Sequence, residues 1–505
     1  MDPILVPAPK EVEELGETVA LPSSVRLVWD DGCEGAAASL ASDLKDICRV
    51  RVAECAEYSI SLEIRAQELP AEGYTLEVGQ RSSAIRAEDA AGLAWGCQTL
   101  LQLWAMSQGP IPCVKVRDWP HYRTRSVMLD MGRAPYSAAL IKRVIRIMAR
   151  LKLNSLHLHL FDDHLNAIRF KTLPLGSENP FALTIEDYAE IIRYARERNI
   201  SVVPEFECWG HAGSILYHYP HLYGAPGMWE GFSFGIGEEL YDLLTKMFDE
   251  FVPILEDECV VHVGLDEANW ATLPSVAEAD RERYTPTEHV RRLHEILTAI
   301  GEKHGKEIRM RLWADHGGRP IPEELKDRVI VEPWMYFEGR AEAIKQKVAT
   351  YSGEGKTPFV MGGGMSSLHF EGHYGATRIW CKEAMDSPNC EGINICVWES
   401  NNVPGKMIGI FGGADSAWSP DKDDPKPEDL HSEWAGGKFM QLMRRWQSVF
   451  ADADPAALEH DRGPEVQSGK YCWPPVAGVP VAPTCKLVDP RTVDAFHEDQ
   501  QQPAE

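Results

Sequence analysis

No stretch of this 505-residue sequence reaches the roughly 18 apolar residues of a membrane span. Its opening, MDPILVPAPKEVEELG, has neither a basic start nor a long apolar core. It does not read as a secretory leader, and a cytoplasmic location is the expectation. Positive charge is in the minority: 51 Lys and Arg against 77 Asp and Glu leave a formal net charge of −26. A surface of that sign repels phosphate backbones and anionic bilayers, which weighs against nucleic-acid and membrane partners. The twelve cysteines include no CxxC pair, so neither a zinc ribbon nor a thioredoxin motif is indicated. Several sit in apolar runs (Cys259 in ECVVHVG, Cys396 in INICVW), the setting of buried thiols in a reducing compartment. No GxGxxG or GxxxxGK[ST] follows a strand-like run, which removes two common phosphate cradles. No cofactor is indicated by any motif.

What is present is regular alternation. Residues 1–120 read as a small α+β domain, with β-like runs (SVRLVW, YSISLEI, YTLEVG, SAIRA) around helical ones (AAASLASDLKDI, AGLAWGCQTLLQLWAM). From about residue 125 eight apolar runs follow: RSVMLDM, NSLHLHL, ISVVPEF, CVVHVG, EIRMRLW, VIVEPW, TPFVMGG and GINICVW. Helical spacings separate them. Strand–helix alternation over eight units predicts a parallel sheet closed into a (β/α)8 barrel, here over 121–454. A helix is expected at 431–451. The Pro-rich tail, 455–505, reads as an extended wrap or as partly disordered.

In such a barrel, chemistry gathers where strands end and the following loops begin. The first run ends in Asp130 and Arg133. The second ends in His159, Asp162, Asp163 and His164, and the third in Glu205, Glu207, Trp209 and His211. The fourth ends in Asp266, Glu267 and Trp270, the fifth in Trp313 and Asp315, the sixth in Glu332 and Trp334, and the eighth in Trp398 and Glu399. Carboxylates, one arginine and several tryptophans on one rim have the composition of a sugar site. A lone tryptophan is more often core than ligand; four at strand ends point to a lined pocket. HVGLDEANW is the strongest element. Two carboxylates that flank a reacting sugar in a retaining glycosidase stand ~5 Å apart on opposite faces. Adjacent acids on one loop are poorly placed for that. They suit a general acid beside a carboxylate that orients a group on the substrate.

These segments resemble glycoside hydrolase family 20, the β-N-acetylhexosaminidases. HVGLDEANW is similar to that family's H-x-G-G-D-E…W, and SVMLDMGR to its first-strand motif with a substrate-binding arginine. NSLHLHLFDDH resembles its N-x-x-H-x-H-x-x-D-D, and VVPEFECWGHAGSILYHYPHL its P-E-x-D-x-P-G-H-A segment. The resemblance implies a retaining, substrate-assisted reaction on terminal N-acetylhexosamine, GlcNAc or GalNAc. It implies Glu267 as general acid and base, and Asp266 on the acetamido N–H. Arg133 would grip ring hydroxyls, and Asp162 with His211 would support Glu267. Trp313, Trp334 and Trp398 would box the N-acetyl methyl and sugar face, with Trp270 and Glu399 as further substrate contacts. No metal is implied.

The departures surround the sugar more than the acid pair. Leu265 replaces the second glycine, Trp209 the proline before Gly210, and Glu207 the aspartate. The family's seventh-strand tyrosine has only His369 or Tyr374 as candidates, and its W-x-E is the adjacent Trp398–Glu399. Altered specificity is the expectation, with an inactive carbohydrate-binding relative as the alternative. A metal-dependent amidohydrolase-type barrel is a weaker rival: His157 and His159 alternate onto one strand face as two ligands would, but on the second strand. A homodimer is among the assemblies the sequence allows.

Overall fold

Alternating apolar and polar residues build the first sheet. In Tyr58–Ile64, Tyr58, Ile60 and Leu62 are buried while the serines between them are half-exposed. In this computed structural model the description covers residues 5–422, apart from 108, 178, 229–230, 315–320, 366–373 and 400, together with 455–461. Seven strands pair in the order Glu11–Val19, Ile111–Asp118, Tyr74–Val78, Ser82–Ala87, Tyr58–Ile64, Ser24–Trp29 and Arg51–Val52. Parallel and antiparallel neighbours are mixed. Helices Glu34–Asp46 and Ala90–Met106 share one apolar core with the sheet. The second starts at Asp89, whose carboxylate accepts the Gly92 amide at 2.7 Å. It is apolar nearly all round because sheet and barrel both press on it; Gln102 Nε2 donates across to the Arg150 carbonyl at 3.0 Å.

Eight parallel strands then close into a barrel: Thr124–Asp130, Ser155–His159, Ser201–Glu205, Glu258–His262, Glu307–Trp313, Val329–Glu332, Phe359–Met365 and Cys390–Val397. Each corresponds to one of the eight apolar runs. Strands covered on both faces lose the in–out alternation of a half-exposed sheet and read as continuous hydrophobic stretches. The outer layer is Ala138–Arg150, Ile185–Arg196, Glu238–Phe251, Pro286–His304, Ala341–Tyr351, Gly375–Glu383 and Val403–Trp418. Between the fifth and sixth strands the described residues hold only the 3-10 turn Glu323–Leu325. No helix among the described residues is long and apolar enough to cross a membrane.

Buried ionic contacts join sheet to barrel. Lys152 Nζ lies 2.9 Å from Asp118 Oδ2 and donates to the Tyr74 hydroxyl at 2.7 Å, while the Trp418 indole donates to Asp118 Oδ1 at 2.8 Å. The helix expected at 431–451 falls outside the described residues. The start of the tail differs from the expected wrap: Pro455–Asp461 is helical. Leu458 is fully buried in the barrel core, and Asp461 pairs with Arg143. Apolar surface on this short segment favours docking over extension.

Candidate active site

The first four strands deliver an ionic cluster. Asp130, the last residue of the first strand, is fully buried and accepts the Arg133 amide at 3.0 Å. Arg133 reaches Asp130 Oδ2 at 3.2 Å and Asp162 Oδ2 at 2.9 Å, and lies 5.2 Å from the centroid of the Trp398 ring. The Glu399 amide donates to Asp130 Oδ2 at 2.8 Å, which sets the eighth-strand acid beside Arg133. Asp162 also binds His159 Nε2 at 3.1 Å. Burial alone would push the Asp162 carboxyl up, but Arg133, His211 and hydrogen bonds from His159 and His164 hold it well below the usual carboxylate range.

His211 is the hub. Its Nε2 lies 3.3 Å from Glu267 Oε2 and 3.6 Å from Asp266 Oδ2. Its Nδ1 lies 3.2 Å from Asp163 Oδ2 and 3.5 Å from Asp162 Oδ2. Burial opposes charge on this ring. Asp162, Asp266 and hydrogen bonds to Asp163 and Glu267 outweigh it, so the ring's pKa sits well above the ordinary imidazole value. The ring turns Nδ1 toward the second-strand acids on one side and Nε2 toward the acid pair on the other. Asp163, not Asp162, is the nearer acid. It also ties down the loop, accepting the Gly213 and Phe232 amides at 3.0 Å each. Sequence reasoning named Asp162 for this role; the doubled Asp in FDDH was the available signal.

The last four strands deliver an aromatic cluster. Trp313 and Trp398 lie 5.7 Å apart, Tyr336 and Trp398 6.2 Å, and Trp334 stacks on Tyr336 at 5.4 Å and 13°. Met128 and Cys396 complete this group, which is separate from the main core. Tyr336 was missed in the sequence. It stands two residues after Trp334, so strand-like alternation would have placed both on one side. Trp270 does not join the box: it is 38% exposed and meets the buried Trp209 edge-on at 5.4 Å. Tyr374 lies in the main core, its ring against Gly412, and does not line the site. His369 and Asp315 fall outside the described residues.

Of the nine described non-glycine residues with positive φ, four stand on this rim. Among non-glycine residues, His211 (φ 47°), Leu265 (φ 81°), Glu267 (φ 47°) and Glu399 (φ 61°) all adopt the left-handed region. Such residues cost about 1–3 kcal/mol each and persist only where surroundings enforce them. Leu265 occupies the position of the family pattern's second glycine, and its burial at 0% exposure supplies the enforcing contacts. The third- and fourth-strand loops interlock as well: a Cβ on Gly210 would come within 2.2 Å of the Asp266 carbonyl oxygen.

His157 and His159 point into the barrel and converge on Glu205. Glu205 lies 3.0 Å from His157 Nε2, 2.7 Å from His159 Nδ1 and 3.1 Å from His262 Nδ1, and accepts the Trp313 indole. Burial pulls His157 down to about 4, and His262 is lowered for the same reason. His159 is raised well above its ordinary value, because Glu205, Asp162 and Asp130 overcome its burial. Triplets such as His157–Glu205–His262 have ligand atoms within 4.8 Å of one another and could hold an ion. These rings reach from the second and fourth strands to one carboxylate on the third, so the pair His157 and His159 reads as internal bracing of the acid site.

Sequence comparison agrees with this geometry. The catalytic-domain model of glycosyl hydrolase family 20 matches residues 122–352, and the model of that family's domain 2 matches residues 2–119. The β-hexosaminidase of Porphyromonas gingivalis is 28% identical over 320 residues, covering 53% of this chain and 41% of that protein. The β-hexosaminidase of Vibrio furnissii is 28% identical over 385 residues, covering 68% and 61%. The chain thus spans about half the length of these curated relatives. Two solved structures share the fold: Flavobacterium johnsoniae chitobiase (TM-score 0.68, 21% identity, covering 90% of this chain and 73% of that one) and Streptomyces plicatus N-acetyl-β-hexosaminidase (TM-score 0.65, 21% identity, covering 90% and 95%). Both family matches fall in order along one sequence, and the acid pair, arginine and aromatic box stand at the strand ends: this chain belongs to glycoside hydrolase family 20.

Proposed function

We propose that this protein removes terminal β-linked N-acetylhexosamine from carbohydrates, with retention, the substrate's own acetamido oxygen acting as nucleophile. One observation carries the proposal: Asp266 and Glu267 both lie within reach of the single His211 Nε2, at 3.6 and 3.3 Å. Two carboxylates gathered on one imidazolium serve one side of a sugar, so the attacking group must come from elsewhere. In this reading Glu267 donates a proton to the leaving oxygen and later takes one from water. Asp266 holds the acetamido N–H and turns its oxygen toward the anomeric carbon. His211, backed by Asp163 and Asp162, orients both acids. Arg133, with Glu399 beside it, binds ring hydroxyls; Trp313, Trp334, Tyr336 and Trp398 enclose the acetamido methyl and the sugar face. Trp270, exposed three residues beyond Glu267, is assigned to the departing side.

The division of the chain at about residue 120 belongs to the proposal, supported by matches that end at 119 and begin at 122. So does a reducing, cytoplasmic location, supported by ten free cysteines among the described residues. Turnover of an aryl N-acetyl-β-glucosaminide and its galacto epimer tests the activity. Glu267→Gln should lose rate chiefly on poor leaving groups, since an acidic phenol leaves without protonation. A thiazoline mimic of the cyclised intermediate should inhibit strongly; indifference to it would refute acetamido participation.

A further inference from the structure

The barrel closes where its eighth strand meets its first, and the two groups assigned to the ring hydroxyls, Glu399 and Arg133, stand on either side of that seam. The strand ladder ends at Val397 beside Leu129. Beyond it, side chains take over the joining. Asp130 makes the first tie, accepting the Arg133 amide at 3.0 Å and the Glu399 amide at 2.8 Å. Asn401 makes the second. It is fully buried, and its Nδ2 donates to the Pro135 carbonyl at 2.9 Å, from the eighth-strand loop across to the first. Pro135 is itself buried, and a buried carbonyl calls for a partner. The mechanism above gives Asn401 no part.

The two ends of the first-strand loop have other anchors. The Met131 and Gly132 amides both donate to the His159 carbonyl at 2.9 Å, and Ser137 caps the helix Ala138–Arg150 by accepting the Leu140 amide at 3.1 Å. Asn401 reaches the middle of that loop. On its own side, Asn402 caps the helix Val403–Trp418, accepting the Gly405 amide at 3.2 Å. Asn401 thus stands between a fixed helix start and Glu399. Glu399 has a φ of 61°, which a non-glycine residue keeps only where its surroundings enforce it. We propose that Asn401 is a positioning residue for Glu399. By tying the eighth-strand loop to the first, it sets where the Glu399 carboxylate stands beside the Arg133 guanidinium, and so which ring hydroxyl the two can share. The inference rests on the reading that Arg133 and Glu399 bind ring hydroxyls.

The test compares the aryl N-acetyl-β-glucosaminide with its monodeoxy analogues at ring positions three, four and six. Asn401→Leu fills the space without a donor and should raise KM about 10-fold on the parent substrate, with a much smaller change in kcat. On the analogue that lacks the shared hydroxyl, wild type and variant should agree within about 2-fold. An equal penalty on every substrate would mark a merely structural residue and overturn the proposal. In a Glu399→Ala background, Asn401→Leu should cost nothing further, since both act through one group; additive losses would also overturn it. Asn401→Asp keeps the side chain's size but turns an acceptor toward the Pro135 carbonyl, so it should do at least as badly as Leu. An Asp variant close to wild type, or two variants that both fail to fold, would overturn the proposal too. Hydrogen exchange in the unliganded full chain gives a readout independent of turnover. The Glu399 amide should exchange about 10-fold faster in Asn401→Leu; an unchanged rate would overturn the proposal. Wild type that fails to cleave the aryl substrate sinks the functional reading instead, and the exchange result still decides whether Asn401 holds Glu399.

Discussion

At the scale of single residues, charge and strain lead to separable expectations. His211 has a pKa raised by its acidic neighbours over the opposing effect of burial. Its contribution to stability is complete below the unfolded imidazole value of about 6.5 and disappears as pH climbs through the folded value. Asp162 has the opposite sign: its contribution is complete above about 3.9 and disappears as pH falls through its depressed folded value. Thermal unfolding followed against pH should therefore show a plateau with two shoulders. Replacing His211 by Gln should flatten the alkaline shoulder and leave most of the Asp162-driven loss in acid, since Arg133 is the larger cause of that depression. A variant curve parallel to wild type above neutrality would refute the ion-pair assignment. Leu265 sets strain against burial. A leucine at φ 81° costs about 1–2 kcal/mol, whereas removing a buried leucine side chain costs about 2.7–5 kcal/mol. Leu265→Gly should therefore lower stability by roughly 1–3 kcal/mol in urea unfolding, even though glycine suits the backbone.

At the scale of elements, the site is two loops locked against each other. Gly210→Ala would drive a methyl into the Asp266 carbonyl, a backbone atom that cannot swing aside. Circular dichroism should remain that of a folded barrel while activity falls on the order of 100-fold, because misplacement by an ångström has that effect on aligned groups. Retained activity would show that the fourth-strand loop has slack. The elements themselves differ in how openly the sequence declared them. All eight barrel strands were legible, since burial inside the fold leaves runs such as CVVHVG and GINICVW mostly apolar, each interrupted by a single buried polar residue, His262 and Asn394. Arg133, Asp266, Glu267 and three of the tryptophans were legible because loop-borne polar groups directly after such runs stand out. Asp163 was hidden by its twin: adjacency says nothing about which of two acids turns toward a histidine on another strand. Tyr336 was hidden because the sixth strand ends at Glu332, four residues before it, beyond the reach of a reading confined to strand ends. The helix Pro455–Asp461 was hidden because its cause is a tertiary contact, burial of Leu458, and not its own periodicity.

At the scale of the whole molecule, the sheet and the barrel are joined by charge taken out of water. Lys152 is buried, with its ammonium against Asp118, Tyr74 and the Trp418 ring. Lys152→Met would leave Asp118 buried without its counter-charge. Breaking such a pair from one side typically costs about 3–5 kcal/mol, and urea unfolding should register a loss of that size. A second transition should appear if the α+β unit then melts apart from the barrel. The barrel also has an internal division: the acids and histidines around His211 come from its first four strands, the stacked Trp313, Trp334, Tyr336 and Trp398 from its last four. The catalytic-domain match ends at residue 352, before the seventh and eighth strands begin. On the proposed reading, the staves that time the proton are then distinct, within one closed cylinder, from those that judge the sugar's shape. The departures from the family pattern straddle that division: Glu207, Trp209 and Leu265 lie on the two loops around the acid pair, while the seventh and eighth strands lie beyond the match.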